Sequence, residues 1–278
     1  MRTVRMPDGT EVSAVGQGTW RIGEGQRSPK EEEAALRLGI DLGMTLIDTA
    51  EMYGDGRSEE VIGRAIAGLR DKVFLVTKVY PHNASKTGVP AACERSLRRL
   101  NTDHIDLYLL HWPGSIPIAQ TVIAFEGLRE QGKIRSWGVS NFDVAEMEEV
   151  VAIAPGQNCA TDQVLYNPEH RGIEFDLLPW CERRKMPVMA YSPVGQGGRL
   201  LRSRALRQVA DRHGATPAQI AIAWGLRNSA LISIPKSGDP AHVRENAAAA
   251  ELVLSQEDLA AIDALHPSPK RKQSLAML

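Results

Sequence analysis

A closed (β/α)8 barrel of the TIM type, preceded by an N-terminal β-hairpin, is the fold the sequence predicts. Three observations predict it: short β-branched or Leu-rich runs alternate with longer amphipathic ones, the short runs number eight, and no linker or low-complexity stretch divides them. At 278 residues the chain has room for one such barrel, a unit that commonly reaches about 250 residues or more. A single domain over residues 1–278 is therefore expected.

The opening MRTVRMPDGTEV reads as a hairpin turning at Asp8-Gly9. Residues 13–18 (SAVGQG) give the first barrel strand, and 30–43 the first helix, whose early acids suit the positive end of the helix dipole. The second strand, 45–50 (TLIDTA), leads to a helix over 57–70 that opens with Ser58 before Glu59 and Glu60, a pattern that suits a serine cap. Strands at 73–78, 105–111, 135–140 and 160–166 follow, with helices at 88–100, 118–132, 143–153 and 173–185. The strand at 187–192 precedes a helical region, 203–228, long enough to break at Gly214 and restart at Thr216-Pro217. The last strand, 231–236, precedes a helix over 239–250. An open dinucleotide-binding sheet fits less well, because Gly16-x-Gly18 is followed by Arg21 where the third glycine of that fingerprint should stand.

Composition narrows the function. A formal net charge of −1 provides no field to draw in nucleic acid or an anionic membrane, and no apolar run approaches the ~20 residues of a membrane span. The KRK at 270–272 reads as a solvated tail. Cys93, Cys159 and Cys181 are widely spaced, with no CxxC pair and no histidines set out as metal ligands. Free thiols, no metal and a soluble cytoplasmic protein are expected.

In a barrel of this type the active site lies at the C-terminal ends of the strands. The second strand ends in Asp48 with Tyr53 just beyond, the third in Lys78 and the fourth in His111. Singly, each has a plain structural use as a turn former, a snorkelling lysine, a core histidine or loop packing. Together they make chemical sense. A lysine cation beside a tyrosine favours its phenolate, a carboxylate keeps a buried lysine charged, and a histidine donates a hydrogen bond to an oxygen gaining negative charge. Such a group protonates an oxyanion, and a source of that oxyanion is still required.

The stretches 46–54 (LIDTAEMYG), 75–79 (LVTKV), 108–113 (YLLHWP), 137–142 (WGVSNF), 163–168 (QVLYNP), 189–195 (MAYSPVG) and 232–237 (ISIPKS) resemble, in order, the successive signatures of the aldo-keto reductases. The likeness runs from Gly18 to about Asn246, and within the family the chain is similar to short bacterial members active on methylglyoxal and other small aldehydes. The resemblance implies a barrel that binds NADPH, with NADH a weaker alternative, and reduces aldehydes or ketones, as a monomer. It makes Tyr53 the general acid, Lys78 and Asp48 the pair that sets its pKa, and His111 the donor that orients the carbonyl. It assigns Gly18, Thr19 and Trp20 to the cofactor, Ser140, Asn141 and Gln163 to the carboxamide, and Tyr191 to stacking on the ring. Ser192 and glycines 195, 197 and 198 fall to the pyrophosphate, Lys236 and Ser237 to the 2′-phosphate, and Glu245 and Asn246 to the adenine. His242 stands where many members carry an arginine that grips the 2′-phosphate. Trp20, Met52 and Trp112 are expected to wall the substrate pocket.

Ser140-Asn141 also suits a helix cap and Tyr191 a core aromatic. Three rivals compete with the reductase. A nicotinamide-nucleotide-binding regulatory subunit keeps the nucleotide residues without needing the four polar strand ends. A phosphate-handling isomerase or lyase needs no nicotinamide. A metal hydrolase meets the obstacle that His104 and Asp106 face away from His111 if 105–111 is a strand.

Overall fold

The computed structural model describes residues 1–278. The chain opens on a hairpin, β1 (Thr3–Arg5) paired antiparallel with β2 (Glu11–Ser13). Its turn is built by Asp8, whose carboxylate accepts from Thr10 N at 2.9 Å, and by Gly9 at φ 91°. Eight parallel strands follow: β3 (Gln17–Gly18), β4 (Leu46–Asp48), β5 (Phe74–Val79), β6 (Ile105–Leu110), β7 (Ile134–Ser140), β8 (Asp162–Leu165), β9 (Val188–Tyr191) and β10 (Leu231–Ile234). They lie side by side in chain order, and the first and last meet through bridges Val15↔Ser233 and Gly18↔Lys236. At this seam Gly16 N donates to Ser233 O (2.8 Å), Ser233 N to Ala14 O (2.8 Å) and Gly18 N to Pro235 O (3.0 Å). The approach at Gly18 admits no side chain, because a Cβ there would stand 2.7 Å from Ile234 O.

Ten α-helices surround the sheet: α1 (Pro29–Asp41), α2 (Arg57–Ala65), α3 (Gly88–Leu100), α4 (Ile118–Glu130), α5 (Val144–Ala152), α6 (Leu177–Arg183), α7 (Arg204–His213), α8 (Pro217–Gly225), α9 (Pro240–Ala248) and α10 (Gln256–Leu265). The expected break at Gly214 is present, with Gly214 left-handed at φ 57° and Thr216 closing a capping box with Gln219. Two expectations fail locally. Ser58 does not cap α2; Gly56 holds that position, and the Ser58 hydroxyl is buried against the carbonyl and hydroxyl of Thr19. Asp143, not Ser140-Asn141, caps α5. The KRK tail is exposed but not unattached, because Lys272 Nζ lies 3.7 Å from Asp143 and 3.5 Å from Asp176.

Strand alternation sorts the core into two layers. Outward residues such as Ile47, Leu75, Tyr108, Trp137 and Val164 pack under the helices. Inward residues Leu46, Val76, Leu107, Leu109, Met189, Ile232 and Ile234 fill the barrel's interior, and the hairpin's Val4, Met6 and Val12 join them. The interior is thus apolar until the strands reach their C-terminal ends. There the same inward parity brings up Asp48, Lys78 and His111.

Candidate active site

Asp48 closes β4, Lys78 is the penultimate residue of β5, and His111 follows β6 with its backbone N–H donating to Val79 O at 3.1 Å. Tyr53 opens a short 3-10 turn after β4, whose next two residues, Gly54 and Asp55, are left-handed. The Lys78 side chain is fully buried. Its Nζ donates to both Asp48 oxygens (2.9 and 2.8 Å) and to Thr49 O (2.8 Å), and lies 3.5 Å from the Tyr53 hydroxyl. The Tyr53 and His111 rings meet edge to face, with centroids 5.7 Å apart.

The electrostatics correct one expectation. With Lys78 so near, the Tyr53 phenol was expected to ionise more readily; burial, followed by the Asp48 carboxylate, instead holds it well above the usual tyrosine range. By accessible surface Tyr53 is only partly buried, which leaves the ring reachable from the cleft. Burial also draws Lys78 below its ordinary value, opposed chiefly by Asp48. His111 is pushed down to about 2 by burial and then by Lys78, so its imidazole is neutral. Its Nδ1 is buried without a partner, which leaves Nε2 as the ring nitrogen open to the cleft. An unpaired acceptor is less costly than an unpaired buried N–H, so the proton belongs on Nε2.

The residues expected at the nicotinamide form one network. Asn141, left-handed at φ 63°, donates through Nδ2 to His111 O (3.1 Å) and Ser140 Oγ (3.2 Å), and accepts from the Tyr191 hydroxyl (2.8 Å). Ser140 Oγ donates to Gln163 O (2.7 Å), and Gln163 Nε2 donates across the barrel to Asp48 Oδ1 (2.7 Å). Ser192, left-handed at φ 49°, is held by Asn167 Nδ2 donating to its carbonyl at 2.9 Å, and the following turn is left-handed at Gly195, Gln196 and Gly197. Lys236 and Ser237 are partly buried beside the seam. On α9, His242 is exposed, Glu245 partly buried and Asn246 buried. The i, i+4 spacing puts His242 and Asn246 on one face of α9 and leaves Arg244 off it. Together these groups offer the amide, hydroxyl, backbone and cationic contacts that a phosphorylated dinucleotide requires, so the residues fit that cofactor.

Thr19 is the exception among the expected cofactor residues. Fully buried, it donates its hydroxyl to Asp48 O at 2.8 Å, so its side chain braces β4 and is not free for a ligand. Of the expected pocket walls, Trp112 packs on His111 (centroids 4.8 Å) and on Tyr80 (5.8 Å), Trp20 is 37% exposed with Arg21 stacked over it at 4.3 Å, and Met52 is partly buried beside Tyr53 in the chain. Sequence reasoning missed Tyr80, whose contact with Trp112 puts it at the site's edge. It gave no role to the buried Glu51, which fixes the β5–α3 loop by accepting from Tyr80 N and Asn83 Nδ2, each at 2.9 Å. A glutamate between Asp48 and Tyr53 was the available signal. No group of three His, Cys, Asp or Glu side chains is arranged to hold a metal ion, and the three cysteines are free and buried.

Residues 14–267 match the model of the aldo/keto reductase family. Methylglyoxal reductase YeaE of Escherichia coli is 52% identical over 100% of this chain and 99% of that protein. Glyoxal reductase of Bacillus subtilis is 35% identical over 95% of this chain and 92% of its own. Among solved structures, an aldo/keto reductase of Klebsiella pneumoniae in complex with NADP and acetate superposes with a TM-score of 0.97 at 51% identity, covering 100% of this chain and 99% of that one.

Proposed function

The chain belongs to the aldo/keto reductase family, and from that premise we propose that it reduces methylglyoxal and other small aldehydes to alcohols, with Tyr53 as the proton donor. NADPH-dependent carbonyl reduction is the reaction of this enzyme, and NADPH when bound supplies the hydride to the carbonyl carbon. The observation that carries the assignment of roles is the fully buried Lys78, bound to both oxygens of Asp48 and 3.5 Å from the Tyr53 hydroxyl.

Tyr53 keeps its proton at neutral pH because burial and Asp48 disfavour its phenolate, so it is loaded as an acid before any carbonyl arrives. A carbonyl oxygen lying between the Tyr53 hydroxyl and His111 Nε2 takes hydrogen bonds from both. As negative charge builds on that oxygen, the phenol passes its proton across, and Lys78 stabilises the phenolate left behind. Asp48 keeps Lys78 charged through the cycle, and Gln163 and Thr19 keep Asp48 in place. The Asn141–Tyr191 contact positions the tyrosine as a wall of the nicotinamide site. A regulatory protein with no turnover would have no use for Asp48, Lys78 and His111 converging on Tyr53. We further propose a cytoplasmic, monomeric enzyme; three buried free thiols suit a reducing compartment.

The test is Tyr53→Phe. The variant should bind NADPH as the wild type does while methylglyoxal turnover falls by about 10²- to 10⁴-fold, the usual worth of a general acid. Turnover near the wild-type rate would remove Tyr53 from the role of proton donor.

A further inference from the structure

We propose that Arg27, on the loop between β3 and α1, is a cationic contact to the 2′-phosphate of NADPH and substitutes for the arginine absent from α9. The inference rests on the cofactor reading above and names a residue that no part of that reading includes. Its basis is the way the 21–28 loop is fastened over the first turn of α9. Arg27 Nη2 donates to Asp239 Oδ2 at 2.8 Å, and Asp239 is the N-cap of α9, accepting through its other oxygen from Ala241 N at 2.9 Å. One residue earlier, Gln26 Oε1 accepts from Lys236 Nζ at 3.4 Å. The aliphatic part of Arg27 lies against the backbone of Gly238, where an added Cβ would stand 3.2 Å from Arg27 Cδ.

These contacts gather three basic side chains at one place: Lys236 at the end of β10, His242 in the first turn of α9, and Arg27 from the opposite side of the barrel seam. The electrostatics register the gathering independently of the hydrogen bonds. The charges of Arg21 and Arg27 both help to draw Lys236 down, after burial and against the counter-pull of Glu32. Arg27 and His242 both help to hold Asp239 low, after the hydrogen bond from Ala241.

The guanidinium has unused capacity. Its bond to Asp239 engages Nη2 alone; Nε and Nη1 donate to nothing in the protein, and the side chain is 38% exposed. Nη2 carries a second N–H beyond the one given to Asp239, and with the neighbouring free Nε–H or Nη1–H it makes a planar fork that matches two oxygens of a phosphate monoester. Asp239 acts here as a tether. It orients Arg27 toward the helix turn and leaves the outer edge of the guanidinium to the anion. The exposed His242 side chain makes no hydrogen bond within the protein, and an imidazole presents no bidentate fork, so the guanidinium beside it supplies what the helix lacks.

The experiment measures dissociation constants of NADPH and NADH by tryptophan fluorescence quenching for the wild type, Arg27→Gln and Arg27→Lys, with 2′-AMP and 5′-AMP as competitors. Arg27→Gln is expected to weaken NADPH and 2′-AMP by roughly 10- to 100-fold, as loss of a hydrogen bond to a charged group does, with NADH and 5′-AMP within about twofold of wild type. Arg27→Lys should recover only part of the loss, because a point charge cannot bind two oxygens as a fork. If Arg27→Gln weakens NADPH and NADH alike, Arg27 serves only to strap the loop to α9 and the proposal is overturned. It is equally overturned if neither changes. A wild-type protein that binds neither nicotinamide would overturn the cofactor reading itself, an outcome distinct from either of these.

Discussion

Replacing Asp48 with asparagine separates what the buried ion pair does for stability from what it does for chemistry. The substitution keeps the side chain's shape and one oxygen for Gln163 Nε2 to donate to. It removes the only carboxylate hydrogen-bonded to Lys78, whose side chain is 0% exposed while that of Asp48 is 3% exposed. Removing one partner of such a pair costs about 3–5 kcal/mol, most of it the penalty of a charge left unpaired. Replacing both partners with well-packed hydrophobic groups of similar volume is often neutral or stabilising by about 1–4 kcal/mol. Asp48→Asn should therefore unfold about 3–5 kcal/mol more easily than wild type in a denaturant titration at neutral pH. Asp48→Asn combined with Lys78→Met should recover most of that loss, and both proteins should be severely impaired in NADPH oxidation. The pH dependence has a definite sign. Burial already lowers Lys78 in the folded protein, and without Asp48 it falls further. The unfolded chain then binds the proton more readily, so stability rises with pH by up to about 1.4 kcal/mol per unit until the unfolded lysine itself titrates near ~10.4. The rise begins at lower pH in Asp48→Asn than in wild type, so the gap between the two narrows toward alkaline pH. A double variant as unstable as the summed single losses would show that the pair supports the fold. Normal turnover in that variant would show that the pair is not needed by Tyr53.

Three further outcomes are expected. His111, held at about 2 in the folded protein, takes up a proton on unfolding at any pH below its ordinary ~6.5, so it destabilises by about 3 kcal/mol by pH ~4.5; His111→Gln should flatten the acid limb of the thermal-stability profile, and an unchanged limb would place the acid sensitivity elsewhere. His242→Arg adds a permanent fork to the face of α9 that also carries Asn246, and should tighten NADPH by about 5- to 10-fold while leaving NADH unmoved; equal changes in both would mean that His242 does not face the phosphate. The segments 112–117 and 194–200 are short and build few walls, so aldehydes differing by one methylene should differ in kcat/KM by no more than about 10- to 200-fold; one sharply preferred member of a homologous panel would contradict an open pocket.

Much of the site was legible because strand alternation is a local property. The inward parity of β4, β5 and β6 carries Asp48, Lys78 and His111 to one end of the barrel, and apolar residues at the preceding inward positions mark that parity in the sequence. The interactions that tune the site were not legible, because they depend on the barrel closing. Gln163 reaches Asp48 across 115 positions of chain and Arg27 reaches Asp239 across 212. Ser58 had the spacing of a cap, but it is taken by a buried hydroxyl network that forms only when α2 packs on Thr19. The direction of the shift at Tyr53 was not legible for a related reason. The proximity of a lysine can be inferred from strand order, whereas the depth of burial that outweighs it cannot. Helix α10 went unread although Ser255 and Asp258 form a capping box, because it lies beyond the last strand–helix unit.

The seam between β3 and β10 bears on the order of assembly. Every other strand pair joins neighbours in the chain, whereas Ala14, Gly16 and Gly18 pair with Ser233 and Pro235 after nearly the whole polypeptide has intervened. Closing that loop carries the largest entropic cost of any pairing in the sheet, and only two isolated bridges hold it. An open, curled sheet is therefore the natural late intermediate, and its two free edges are Gly18 on one side and Lys236 on the other. A ligand anchored simultaneously to the 21–28 loop and to α9 would act as a staple across this join, so the amides of residues 14–18, 233, 234 and 236 are those whose hydrogen exchange should slow most when the nucleotide binds.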